Sequence, residues 1–173
     1  PHKNFDILPK VLYELKVMGI ENIRFHTTIP VDHPLKNKME EQLGKLGMIN
    51  NLENHGRLSQ KELGAIYQRC QLCFLPTLLE VFSASIVEAM YFNLPIVATD
   101  FSFNSEILAD SCLYYAPKNA KEAAKQIAKL VLDKELQEDL KEKMQIQLAK
   151  YGDYDKHFNT IENFLVDVAN QTI

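Results

Sequence analysis

The sequence is short of several residue types that common functional motifs require. Its 173 residues include six glycines, three cysteines and no tryptophan. Neither a Walker loop nor a Gly-x-Gly-x-x-Gly motif is present, which argues against a glycine-rich phosphate cradle. No apolar run approaches the roughly 20 residues of a membrane-spanning helix, and no signal-peptide pattern opens the chain. The odd cysteine count favours a protein of the reducing cytoplasm over a disulfide framework.

The chain also lacks an excess of positive charge. Its formal net charge is −4, which argues against a nucleic-acid surface, because such surfaces carry a basic stripe. With 46% hydrophobic residues, the length suits a single domain with a full core, spanning residues 1–173. The chain begins at Pro1 rather than Met, and we expect it to be cut from a longer protein.

Cysteine and histidine show no metal-ligand spacing. The pair Cys70-x-x-Cys73 has no second pair of ligands nearby in sequence, so buried packing is favoured over zinc. The histidines are scattered: His2, His26, His33, His55 and His157. No Ser-His-Asp order appears. The sequence therefore predicts neither a metal site nor a catalytic triad.

Hydrophobic periodicity predicts strands that alternate with helices. Strands are expected at 22–29, 51–58, 71–75, 94–98 and 112–115. Helices are expected at 5–16, 35–46, from a capping box at Ser59 to Glu62, after 83, at 104–109, from Asn119, from about Glu135 and from about Tyr154, the last with an apolar face of Phe158, Ile161, Phe164, Leu165 and Val168. This alternation predicts a Rossmann-like, doubly wound α/β fold with a parallel sheet.

The order of these elements implies that a strand is missing. The first predicted element is a helix, whereas a doubly wound half-domain opens with a strand that lies centrally in the order 3-2-1-4-5-6. Without that strand, its two neighbouring strands have no pairing partner on the edges that faced it. We expect the chain to be trimmed just before Pro1 and the gap to be filled or covered by something else. A complete sheet built from residues 22–115 would contradict this.

Residues 76–99 carry two carboxylates at the expected carboxyl edge of the sheet, where ligands of such sheets bind. Glu80 lies in the loop after a predicted strand, and Glu88 lies in the following helix. The neighbours of Glu80 are apolar, and burying a carboxylate among them is costly without a partner. A sugar hydroxyl or an amide is a suitable partner, although most loop carboxylates are simply solvated.

Glu88 has two interpretations. If Ser85 caps the helix, Ser85 and Glu88 form a capping box, and the role of the glutamate is structural. If Ser83 is the cap, Glu88 lies one turn deeper and can bind a ribose diol, because a carboxylate offers acceptor oxygens to two adjacent hydroxyls. The spacing alone leaves the two about even.

Three further features could bind an anion. The backbone amides of Phe82, Ser83 and Ala84 open the helix, and a helix N-terminus attracts phosphate. Lys3 could add a point charge, although a flexible surface lysine is the simpler interpretation. Arg57 lies at the end of a predicted strand and could position a base or a phosphate, although an ordinary solvated arginine is favoured.

The segment from Pro76 to Ser83, together with Glu88-Ala89-Met90 and Leu94 to Thr99, resembles the signature of glycosyltransferase family 4. Members of that family are retaining enzymes of the GT-B fold, and the resemblance covers nearly the whole chain as their C-terminal, nucleotide-sugar-binding half. His2-Lys3-Asn4 resembles the family's lysine turn, and Gly56-Arg57-Leu58 resembles its base-side loop. The family's usual Gly-Phe-Gly reads Val81-Phe82-Ser83 here.

The resemblance implies roles for these residues. Glu88 would hold the ribose, catalytic Glu80 would face the transferred sugar, and Lys3 with the Phe82–Ala84 amides would hold the diphosphate. It implies a nucleoside diphosphate sugar as donor, no metal and no other cofactor. It also implies an absent N-terminal acceptor half, which could bring peripheral membrane association. We expect the isolated domain to transfer nothing by itself.

Two alternatives stay open. One is a GT-B nucleotide-sugar epimerase or phosphorylase. The other is a non-catalytic Rossmann-like interaction module that kept the fold and lost the site. Calorimetry with nucleoside diphosphates separates the latter from an enzyme.

Overall fold

The computed structural model describes residues 2–151, in which short parallel strands alternate with helices. The strands are β1 (Phe25–Thr27), β2 (Leu52–Asn54), β3 (Cys73–Leu75), β4 (Ile96–Thr99) and β5 (Leu113–Tyr115). The α-helices are α1 (Leu8–Val17), α2 (Pro34–Lys45), α3 (Gln60–Tyr67), α4 (Ala84–Tyr91), α5 (Ser102–Leu108), α6 (Ala120–Leu132) and α7 (Lys134–Tyr151). Short 3₁₀ turns lie at Phe5–Ile7 and Ile49–Asn51.

Helices cover both faces of the sheet, as the doubly wound prediction requires. Strand β4 is buried at every position. Because side chains alternate along a strand, Val97 packs into the core formed with α1 and α6. Ile96 and Ala98 pack into the opposite core, formed with α4, α5 and α7. This two-sided burial explains why the β4 sequence is continuously apolar.

Local signals start and stop the helices. Helix α3 begins with the predicted capping box: the Glu62 amide donates to the Ser59 hydroxyl, and the Glu62 carboxylate accepts from the Ser59 amide. Gly19 and Gly47 follow α1 and α2 with φ of 79° and 68°, a left-handed conformation that glycine adopts without a steric penalty. Helix α1 begins at Leu8, later than predicted, because residues 5–7 form a 3₁₀ turn.

The sheet is broken where the sequence predicted a missing strand. Among residues 2–151, strand β1 pairs only with β2, while β3, β4 and β5 form a separate sheet in that order. All of these pairings are parallel. The facing edges of β1 and β3 both line a cavity of about 640 Å³. As expected, the two strands that would flank the missing strand, β1 and β3, do not pair with each other. Residues 22–115 therefore do not build one continuous sheet.

The strands are shorter than the sequence predicted. The apolar run at 22–29 contributes three residues to β1, with Phe25 opposite Leu52 and Thr27 opposite Asn54. A strand with one neighbour forms hydrogen bonds only over the length of that neighbour, so the remaining residues stay irregular. The predicted helix from about Tyr154 lies outside the described residues. Among residues 2–151, no helix has the length and apolar character needed to span a membrane.

Candidate functional site

The loop between β3 and α4 is fixed at the carboxyl edge of the sheet by buried hydrogen bonds. The Thr99 hydroxyl donates to the Thr77 carbonyl oxygen at 2.6 Å. The Asn104 side-chain amide donates to the Thr99 carbonyl oxygen at 2.8 Å. Because Thr99 and Asn104 are both fully enclosed, these bonds form in a low dielectric and hold the start of the loop in place.

The N-terminal turn of the chain joins this loop. The Leu78 amide donates to the His2 carbonyl oxygen at 2.8 Å, and the Lys3 ammonium donates to the Glu80 carboxylate. Asn4 turns the chain with a φ of 52°, in the left-handed region that asparagine tolerates better than most residues. Two of the predicted site residues, 77 positions apart, are therefore in contact.

The Lys3 contact keeps Glu80 ionised. The hydrogen bond from Lys3 is the main cause that lowers the pKa of the Glu80 carboxyl, and the charge of Lys3 and the nearby His2 add to it, against the desolvation of the carboxylate. The Glu80 side chain is 22% exposed, so it remains within reach of a ligand from solvent.

The prediction that Glu80 is buried among apolar side chains is wrong. Leu79, Val81 and Phe82 are exposed, Val81 almost completely. The loop projects these side chains outward at the sheet edge, and the partner of the carboxylate is Lys3 rather than a group inside an apolar pocket. The sequence could not reveal this, because the direction of a loop side chain depends on loop geometry and not on residue type.

Glu88 is free of the capping role. Ser83, not Ser85, precedes α4, and no side-chain capping hydrogen bond forms there. Glu88 therefore lies one turn inside the helix, as the second interpretation of the sequence required. Its Oε2 accepts from the Tyr67 hydroxyl at 2.9 Å. Its Oε1 receives no hydrogen bond from any residue between 2 and 151.

Tyr67 is a site residue that the sequence did not reveal. Its ring stacks on Phe92, with centroids 5.2 Å apart and planes at 11°. Burial is the main cause that raises the pKa of its hydroxyl, so the group stays protonated and donates to Glu88. The two residues are 21 positions apart on different helices, and nothing in the local sequence signals the contact.

The N-terminus of α4 offers backbone donors to the same loop. In the described part of the chain, the amides of Phe82, Ser83 and Ala84 donate to no other group. Such amides carry the positive end of the helix dipole. The Asn4 side-chain nitrogen is likewise buried without a partner among the described residues, and it follows Lys3 directly. Loop and turn together thus supply several unused donors.

Arg57 is not brought into this group. It follows Gly56, which has a φ of 68°, and its side chain is exposed. Within residues 2–151 it forms neither a hydrogen bond nor an ion pair. Its proposed role in binding a base or phosphate has no support from contacts, and it stays a prediction.

Two of the scattered histidines meet on the β1–β2 pair, which the sequence did not predict. His26 and His55 lie within hydrogen-bonding distance, and Glu53 lies beside both. Parallel pairing places His26 opposite Glu53, so register brings together residues whose spacing in sequence carries no signal.

One family model matches most of the chain, and a curated relative is similar to it. Residues 1–147 match the family described as glycosyl transferases group 1. A curated relative, the uncharacterized glycosyltransferase MJ1178 of Methanocaldococcus jannaschii, is 27% identical over 144 residues, which are 82% of this chain and 38% of the relative.

Solved structures share the fold. S. aureus TarM, in a complex with Fondaparinux, alpha-GlcNAc-glycerol and UDP, superposes with a TM-score of 0.80 at 21% identity, over 94% of this chain and 33% of TarM. A UDP-forming alpha,alpha-trehalose-phosphate synthase from Burkholderia vietnamiensis gives 0.83 at 15% identity, over 99% and 42%. Anabaena HepE, with UDP and glucose, gives 0.79 at 20% identity, over 96% and 45%. This chain thus spans less than half of each protein.

Proposed function

We propose, from the premise that this chain belongs to the glycosyl transferases group 1 family, that it binds a nucleoside diphosphate sugar at the carboxyl edge of β3. In this proposal it is the donor-binding half of a GT-B hexosyltransferase of the retaining family 4, working in the cytoplasm. The observation that carries the proposal is the convergence of Lys3, Glu80 and the free amides of α4 on one anchored loop.

The diphosphate is proposed to lie against the N-terminus of α4. Three amides and the helix dipole favour an anion at that point, and the buried Asn4 nitrogen is an unused donor beside Lys3. These groups would stabilise the charge that develops on the departing diphosphate, which is often the largest contribution to catalysis. The proposal therefore requires no metal for this step.

The ribose is proposed to bind Glu88. The Tyr67 hydroxyl occupies Oε2 and holds the carboxylate in one orientation, while Oε1 remains for the sugar. A carboxylate oxygen has two lone pairs, so Oε2 can also accept from a second ribose hydroxyl. The resulting arrangement would recognise a vicinal diol.

Glu80 is proposed to face the transferred sugar. In the free domain Lys3 neutralises it, and an incoming diphosphate would compete for the same ammonium. Ligand binding would then release Glu80 toward the sugar. Acceptor recognition would belong to a part of the enzyme that this chain does not contain, so we expect no transfer by the domain alone.

Calorimetric titration with UDP, GDP and ADP tests the proposal, and UDP comes first because TarM and HepE are described with it. We expect one nucleotide to bind and Glu88→Gln to weaken that binding about tenfold or more, since hydrogen bonds to charged groups contribute about 1.5–3 kcal/mol. Glu106→Gln, which changes an exposed glutamate on α5, is the control. If no nucleotide binds and Glu88→Gln alters stability alone, the non-catalytic module is the better account.

A further inference from the structure

A cluster of two histidines and a glutamate lies on one face of the β1–β2 pair. His26 Nδ1 lies 3.0 Å from His55 Nε2, and it lies 3.8 Å from Glu53 Oε2. His55 Nε2 lies 3.8 Å from Glu53 Oε1. Since Glu53 and His55 are two positions apart on an extended chain, their side chains point to the same face.

The cluster is sheltered yet accessible. The side chains of His26 and His55 are 18% and 15% exposed, and that of Glu53 is 38% exposed. Both histidines line the cavity between the two sheets, so an ion from solvent can reach them. Arg24 donates to Glu53 Oε2 at 3.2 Å, which fixes the orientation of the carboxylate.

We propose that His26, Glu53 and His55 bind a divalent transition-metal ion, with zinc as the representative. Zinc bonds to imidazole nitrogen and carboxylate oxygen at about 2.0–2.2 Å in a tetrahedral arrangement, which places ligand atoms roughly 3.2–3.6 Å apart. The distance of 3.0 Å between His26 Nδ1 and His55 Nε2 and that of 3.8 Å between His55 Nε2 and Glu53 Oε1 bracket that range. Two histidines and a glutamate are a set that zinc accepts with a fourth position open to water.

Binding replaces the hydrogen bond between the imidazoles. A neutral imidazole carries its proton on one nitrogen, so the ring that now donates moves its proton to its other nitrogen. Both facing nitrogens then present lone pairs to the ion, and no net proton is lost. The rings, which lie within 11° of parallel, must rotate so that both lone pairs converge. Arg24 competes with the ion for Glu53 Oε2, which leaves Oε1 as the expected oxygen ligand.

Titration of the full 173-residue chain, first stripped of metal with EDTA, tests this site independently of the donor proposal. We expect one zinc ion per chain by calorimetry, and cobalt to give the visible absorption bands of a tetrahedral site. His55→Ala and Glu53→Gln should each lower the zinc affinity at least about tenfold. Even replacing a residue that only hydrogen-bonds to a metal ligand typically lowers metal affinity about 10–100-fold, and these two residues are ligands in the proposal. His33→Asn should leave it unchanged, since it removes an imidazole but keeps a good helix cap for α2.

Two results would overturn the proposal that this cluster binds zinc. One is an absence of stoichiometric zinc binding by the wild-type chain. The other is binding that His55→Ala and Glu53→Gln, both checked for folding by circular dichroism, leave intact. In either case the cluster is a hydrogen-bonded network that joins β1 to β2 without a metal.

Discussion

Single side chains determine whether the carboxylates of the β3–α4 loop and of helix α4 can bind a ligand. Glu88 could have served only to cap a helix, but the cap falls on Ser83 and its side chain makes no capping bond. Tyr67 then fixes the carboxylate from a neighbouring helix. The contact orients Glu88 while leaving one of its oxygens available, so Tyr67 is a positioning residue for the proposed ribose site.

Replacing Tyr67 by phenylalanine tests this positioning role. The variant keeps the stacked ring on Phe92 and loses only the hydroxyl, so we expect nucleotide affinity to fall about 2- to 13-fold, as for one hydrogen bond of roughly 0.5–1.5 kcal/mol. Tyr91→Phe is the matched control, because Tyr91 is 75% exposed. Equal affinities for the two variants in calorimetry would show that Glu88 does not need Tyr67.

The Lys3–Glu80 pair predicts a pH dependence of stability. Lys3 lowers the pKa of Glu80 in the folded chain below its ordinary value of 4.5. The stabilisation is therefore complete above pH 4.5 and disappears as the pH falls through the lower, folded-state value. Because Lys3 is 41% exposed, the contribution is small, about 0.2–1 kcal/mol.

Urea unfolding of wild-type protein and Glu80→Gln at several pH values measures this contribution. We expect a difference in unfolding free energy near pH 6 that shrinks as the pH falls below 4.5, because protonation of Glu80 in the folded chain removes the ion pair. A difference that stays constant down to pH 3, or that grows, would mean that the ion pair is not its origin.

At the level of elements, local patterns were predictable and contacts between elements were not. The capping box at Ser59 was evident because both partners lie within one turn. The continuous apolar run of β4 is typical of a strand that is buried on both faces, which is what the structure shows. Lys3–Glu80 and Tyr67–Glu88 join distant residues, and side-chain direction across a loop or between helices depends on packing that residue types do not encode.

The gap between β1 and β3 is the clearest consequence of element order. His2 is hydrogen-bonded to Leu78, just beyond the carboxyl end of β3. A segment placed ahead of Pro1 would therefore enter the cavity alongside β3 and parallel to it. Backbone groups on both facing edges could pair with it, which would join the two sheets into one.

Adding a strand-forming segment before Pro1 tests whether the gap between β1 and β3 can accept a strand. Six residues chosen from Val, Ile and Thr, added directly before Pro1, should raise the melting temperature by roughly 4–8 °C, given about 2 kcal/mol of net stabilisation. The reason is that buried Val and Ile contribute about 1.5–3 kcal/mol each, against an ordering cost of about 1–2 kcal/mol per residue. Amide exchange in β1 and β3 should also slow.

The control for this fusion carries two prolines within the same six residues, since proline removes ladder donors. Equal melting temperatures for the two fusions, with unchanged exchange in β1 and β3, would show that the segment does not pair with these edges.

At the scale of the whole molecule, the chain is a family member that spans only part of its relatives' length. It covers 38% of MJ1178 and 33% of TarM. The family match covers residues 1–147, and the α/β fold is described for residues 2–151. In the proposed function, the loop after β3 and the turn His2-Lys3-Asn4 form one anion-binding surface.

Chemical-shift mapping with an isotope-labelled chain tests that surface most directly. On addition of UDP, we expect the largest amide shifts at Phe82, Ser83 and Ala84, accompanied by the side-chain amide of Asn4. Shifts that instead cluster away from the β3–α4 loop, or no shifts at millimolar UDP, GDP and ADP, would contradict the account.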